Sequence, residues 1–204
     1  MVFGSRSSFD RPAGGGRRGG RDREAPDDGP PEPPADPEQV ARQICLHQLE
    51  FAPRTRAELA ATLAKRGVPD EVAAAVLGRF AEVGMIDDAL FSQMWVTSRH
   101  RGRGLAGRAL EQELRRKGVD DDTARLALDT LSADEERATA QSLVARKLAA
   151  TRGLTPDARV RRLAGMLARK GYSAGLAFAV VREALAEEGA EVEIGFDELQ
   201  ALED

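Results

Sequence analysis

Apolar residues recur along most of the chain at spacings of three and four. Val72, Val76, Phe80 and Val83 are one such run, the stripe that an amphipathic helix buries. No stretch alternates convincingly with period two, so no sheet is expected. Three segments share one design: Leu59 to Val68, Leu110 to Val119 and Leu163 to Tyr172. In each, leucines stand eight and four residues before a glycine (Gly67, Gly118, Gly171), and the two residues before that glycine are basic. The glycines are 51 and 53 residues apart, and a fixed period of that length predicts a helical repeat. The local chemistry agrees. Leucine at i and i+4 makes one face, a following glycine supplies a left-handed C-cap, and last-turn cations complement the helix dipole.

A further helix follows each glycine. Pro69 suits its first turn, and Asp120 and Ser173 suit N-caps. A leading helix precedes each block: about Pro37 to Glu50, from Ile86 through Trp95 toward Arg99, and about Ala133 to Ala150. Asp87 is placed to cap the second of these, with Ile86 and Phe91 as a hydrophobic staple. The pattern therefore predicts an all-α chain of nine helices, three per repeat, in an elongated curved array. The expected parts are an arm at 1–37, repeats at 38–84, 85–132 and 133–186, and an acidic tail at 187–204 with a short helix around Phe196–Leu202. The arm, rich in Gly, Pro and Arg, buries too little apolar surface to order itself and is expected to be disordered. Its arginine-glycine composition admits a nucleic-acid arm, but a solvated tail is the simpler reading.

Charge sharpens this picture. The net charge of −4 is the sum of a −2 arm (1–40), a +6 body (41–186) and a −8 tail (187–204) that holds eight acids and no base. No run of 18 apolar residues suggests a membrane helix, and the first residues lack the apolar region of a secretory signal. The single cysteine, Cys45, permits no intramolecular disulfide, which fits a reducing, cytoplasmic setting.

Residues of the first and second repeats resemble the RecX family of regulatory proteins. Gly84-Met85-Ile86-Asp87-Asp88-Ala89-Leu90-Phe91 is similar to the family's most recognisable block. Glu113-Leu114-Arg115-Arg116-Lys117-Gly118-Val119 is similar to its second, and Arg56-Ala57-Glu58-Leu59 with Leu63, Arg66 and Gly67 to its first-repeat signature. The resemblance spans about residues 38–186. It implies tandem three-helix repeats that bind the RecA recombinase on single-stranded DNA and inhibit ATP hydrolysis and strand exchange. The glycine-rich loop Arg101 to Gly107, the arm and the tail depart from the family pattern.

The candidate contacts are cationic: Lys65 and Arg66 in the first repeat; Arg99, Arg101, Arg103, Arg108, Arg115, Arg116 and Lys117 in the second; Arg161, Arg162, Arg169 and Lys170 in the third. Capping alone accounts for the dibasic pairs, at about 0.3–1 kcal/mol per cation. Two basic runs on repeat-equivalent helices of a +6 body favour an anionic partner as well. Aromatic content is 4%, too low for a row of base-stacking platforms, so contacts to DNA should be to phosphates. The acidic tail either solubilises the chain or folds over the basic face and competes with phosphate.

No catalytic constellation is expected, nor a cofactor or metal. Gly102-x-Gly104-x-x-Gly107 matches the dinucleotide fingerprint but follows a helix, not a strand. His47 and His100 lack ligands at metal spacing. Cys45 belongs to a packed helix face, with His47 projecting elsewhere. Asp120-Asp121-Asp122 reads as capping and dipole compensation. The alternatives to a filament regulator are a generic helical nucleic-acid-binding module and a structural adaptor. A monomer is expected in each case.

Overall fold

The structure, a computed structural model, describes residues 36–189. The arm and the short helix expected around Phe196–Leu202 lie outside the described residues. Among those residues there are nine α-helices and no strand. The first repeat comprises α1 (Pro37–Phe51), α2 (Arg56–Lys65) and α3 (Asp70–Glu82); the second α4 (Asp88–Arg103), α5 (Gly107–Arg116) and α6 (Asp121–Leu128); the third α7 (Ala133–Leu148), α8 (Pro156–Ala168) and α9 (Ala174–Glu187). A 3-10 turn, Ala149–Thr151, extends α7.

Helix starts are written in short polar side chains. Thr55 caps α2 and Ser132 caps α7, each in a reciprocal box with the glutamate three residues on, Glu58 and Glu135. Asp87, Asp120 and Ser173 accept from the third backbone N–H of α4, α6 and α9. Each such cap stabilises by about 1 kcal/mol. Pro69 sits at the N-cap of α3 rather than inside its first turn. α4 continues to Arg103, past the expected limit near Arg99, because Gly102 keeps helical geometry and termination waits for left-handed Gly104 at φ 62°.

Each repeat has its own core. The paired leucines Leu59/Leu63, Leu110/Leu114 and Leu163/Leu167 are all at most 1% exposed, and burying each contributes roughly 1.5–3 kcal/mol. Cys45 is fully buried in the first core. Ile86 joins that first core while Phe91 joins the second. The expected staple thus divides between two repeats instead of closing within one.

Two joints link the repeats, and they share a plan. The carbonyl of Lys117, at the end of α5, accepts from the Thr55 hydroxyl at the start of α2 (2.6 Å). The carbonyl of Lys170, at the end of α8, accepts from the Ala106 N–H at the start of α5 (2.8 Å). The adjoining glycines press on the preceding repeat. A Cβ on Gly118 would lie 2.3 Å from Ala57 Cβ, and one on Gly171 2.4 Å from the Ala109 nitrogen. Both glycines have positive φ, so only glycine satisfies the turn and the approach together.

The third repeat departs from this plan. Arg159 stands four residues before Leu163, the place held by Thr55 before Leu59 and Ala106 before Leu110. Those two are helix starts, but α8 begins a turn earlier, at Pro156. Arg159 is therefore inside the helix and buried, with Nε donating to Thr151 Oγ1 and its other end paired with Glu188.

Candidate nucleic-acid interface

Where α4 ends, α7 runs past it and α8 closes the far side. The resulting cleft has a volume of about 720 Å³. It is lined by Arg101, Arg103, Arg146, Lys147 and Lys170, with no carboxylate and no aromatic ring apart from His100. Ser142 and Thr139 add hydroxyls. Arg101, Arg146 and Lys147 are exposed and make no salt bridge among the described residues, although the charge of Arg101 acts on the nearby Glu135 carboxyl. Arg103 is shared with Glu113 at 3.0 Å.

The walls are fixed by hydrogen bonds that involve no carboxylate. His100 Nδ1–H donates to the Leu105 carbonyl at 2.8 Å, and Nε2 is hydrogen-bonded to the Thr139 hydroxyl at 2.9 Å. The imidazole thereby ties the end of α4 to α7. Lys170 Nζ donates to the Arg103 carbonyl at 2.6 Å, and the buried Tyr172 hydroxyl to the Gly104 carbonyl at 3.2 Å. Burial, followed by the nearby charge of Glu136, pushes the tyrosine pKa up to about 12. Gly104 ends α4 against Leu143, where an added Cβ would meet Cδ1 at 3.0 Å. The glycine spacing that mimics a dinucleotide fingerprint is thus a helix C-cap with a packing constraint.

A second cationic group is internally committed. Lys117 Nζ reaches Glu58 Oε1 at 2.7 Å and lies 4.4 Å from the Trp95 ring centroid. Arg99 stacks on the same ring at 4.0 Å and pairs with Glu113 at 3.6 Å, while Glu113 also accepts from the indole N–H at 2.9 Å. Burial raises the Glu58 carboxyl pKa. The bonds from Lys117 and the Thr55 N–H, with the charges of Lys117 and Arg54, outweigh that and hold it below its ordinary value. These groups hold the first repeat to the second.

The thirteen expected contact residues therefore divide. Arg101, Arg103 and Lys170 converge in the cleft. Lys117 serves the joint, and Arg99 is committed to Trp95 and Glu113 within the second repeat. Arg115 is paired with Glu111 and Asp121, both at 3.1 Å, and Arg116 donates to the Gln112 carbonyl. Lys65 and Arg66 end α2, exposed and away from any joint; Arg108, Arg161, Arg162 and Arg169 are also exposed. By spacing, Arg162 shares an α8 face with Met166. Sequence reasoning missed Arg146 and Lys147. The available signal was the polar run Thr139, Ser142, Arg146 on one face of α7, but nothing local says that α4 ends beside it.

Three family models cover these repeats in order: RecX, first three-helix domain, at residues 41–80; second, at 87–128; third, at 134–181. The chain belongs to the RecX family. The "Regulatory protein RecX" of Thermobifida fusca is 60% identical over 169 residues, 81% of this chain and 91% of that one. The protein of that name from Streptomyces coelicolor is 59% identical, covering 79% and 86%. That from Mycobacterium avium is 51% identical, covering 78% and 94%. The crystal structure of RecX from Lactobacillus salivarius superposes with a TM-score of 0.69 at 17% identity, over 74% of this chain and 97% of that one. At that identity the match establishes the shared fold. Family membership assigns the chain a regulatory role, and no described helix is long and apolar enough to cross a membrane.

Proposed function

We propose that this RecX-family chain binds RecA filaments on single-stranded DNA and inhibits their ATP hydrolysis and strand exchange, without chemistry of its own. It acts as a cytoplasmic monomer in the control of recombination and DNA repair. The observation that carries this reading is the cleft between the second and third repeats: five cations, two hydroxyls and no carboxylate on one concave surface. A surface of that kind suits a phosphate backbone. With no tyrosine, tryptophan or phenylalanine in its lining it suits sequence-independent contact. Seated against a filament, a rigid array impedes protomer motion or addition and so slows turnover.

The test is the single-stranded-DNA-dependent ATPase of the recombinase with this protein titrated in. The expected result is saturable inhibition, and its absence up to micromolar concentrations overturns the proposal. Affinity for naked oligonucleotide equal to that for the filament supports instead a general nucleic-acid-binding module.

A further inference from the structure

The cleft gathers five cations on one concave surface, and the chain itself carries a matching polyanion. Residues 190–204 include Glu191, Glu193, Asp197, Glu198, Glu203 and Asp204 and no base. Their point of departure is fixed. Glu188, one residue after α9, is held by Arg159 and by Arg152, the latter at 2.8 Å. Arg152 directly follows the 3-10 turn that extends α7, and Arg146 and Lys147 lie in the last turn of α7. At 1.5–2 Å of rise per residue, Arg152 is about 10 Å along the axis from those two cations. Fifteen residues extend to about 50 Å, so the segment reaches the whole cleft.

We infer that the acidic segment 190–204 docks in the cleft of Arg101, Arg103, Arg146, Lys147 and Lys170 and competes there with the phosphates of nucleic acid. This rests on the cleft being the phosphate site, and it adds an occupant supplied by the chain. The alternative reading of the tail, a general solubiliser, predicts no preferred contact. The segment is tethered at an effective concentration on the order of 1 mM. Even a weak contact, with a Kd of about 0.1 mM, would lower apparent affinity for a competing strand about tenfold at that concentration. Salt weakens both contacts, so the difference is largest at low ionic strength.

Two measurements decide this. The first is carbodiimide cross-linking of the full chain, which joins lysine amines to carboxylates in contact, read by mass spectrometry. Linkage of Lys147 or Lys170 to residues 191–204 is expected, and tail linkage scattered over other lysines, or none, overturns the inference. The second is binding of a fluorescein-labelled oligothymidylate at low salt. Truncation after Gly189, and the full-length variant E191Q/D197N/E198Q/D204N, should both bind five- to tenfold tighter than the parent. The gain should vanish in an R101A/R146A/K147A background. Equal affinity of parent, truncation and neutralised variant contradicts docking. Cross-links at Lys147 or Lys170 without DNA binding by any variant overturn the phosphate reading of the cleft while the tail contact stands.

Discussion

The backbone N–H of Ala106 donates to the carbonyl of Lys170 across the joint between the second and third repeats, at 2.8 Å. The Thr55 hydroxyl makes the equivalent bond to Lys117 across the first joint. In both, the last carbonyls of one repeat's middle helix are satisfied by the first donors of the preceding one. The carbonyls at the ends of α5 and α8 thus find donors on the neighbouring repeat, and Lys117 and Lys170 beside the joints are drawn into structure.

The glycines of these joints should be unequal in cost. Gly67, Gly118 and Gly171 all have positive φ, but a Cβ at Gly67 meets nothing within 4 Å. Gly67→Ala should cost only the left-handed penalty, roughly 1–2 kcal/mol. Gly118→Ala and Gly171→Ala add an overlap that moves a neighbouring repeat, roughly 1–3 kcal/mol more. Urea unfolding of the three variants measures this, and equal losses would contradict the joint.

Lys117 should report on the first joint through Trp95, the single tryptophan. Lys117→Ala removes a cation from the ring and a partner from Glu58. The expected outcome is a shifted Trp95 emission and a loss of about 1 kcal/mol. Because the Glu58 pKa is depressed on folding, its contribution is present at neutral pH and lost as pH falls below about 4.5. The stability gap between parent and Glu58→Gln should therefore close between pH 7 and pH 3; a constant gap would show that the ion pair contributes nothing.

The buried Arg159 should matter more than any surface arginine. Arg159→Ala leaves the Thr151 hydroxyl with only its bond to the Leu148 carbonyl and Glu188 with Arg152 alone, a loss of about 2 kcal/mol. Amide exchange should accelerate first in α8 and α9, and uniform acceleration across all repeats would contradict this placement.

Much of this was legible beforehand. The leucine pairs, the glycine caps and the polar caps at Asp87, Asp120 and Ser173 are local signals, and each appears where its spacing puts it. Which arginines remain available was not legible, because Arg115, Arg99 and Lys117 find their carboxylates and ring through tertiary packing. Nor was the burial of Arg159: it reads as one more base in a run, and only the extra turn of α8 turns it inward. The cleft was half visible, since α4 and the turn after α8 supplied three cations by sequence while α7 supplied two by position.

Available and committed cations should separate in DNA binding. Arg101, Arg146 and Lys147 replaced by alanine remove about three phosphate contacts, so the dependence of log K on log salt should become shallower by about 2. Arg115→Ala with Arg116→Ala should leave the slope unchanged. Fluorescence anisotropy across a salt series measures both, and the reverse ranking would move the interface to α5.

The most direct measurement is the recombinase ATPase on single-stranded DNA with the parent chain and the charge reversal R101E/R146E/K147E side by side, thermal unfolding confirming equal stability. Inhibition by the parent and at least tenfold weaker inhibition by the reversal is the predicted result. Equal inhibition by both would show that the cleft between the second and third repeats does not carry the regulatory contact.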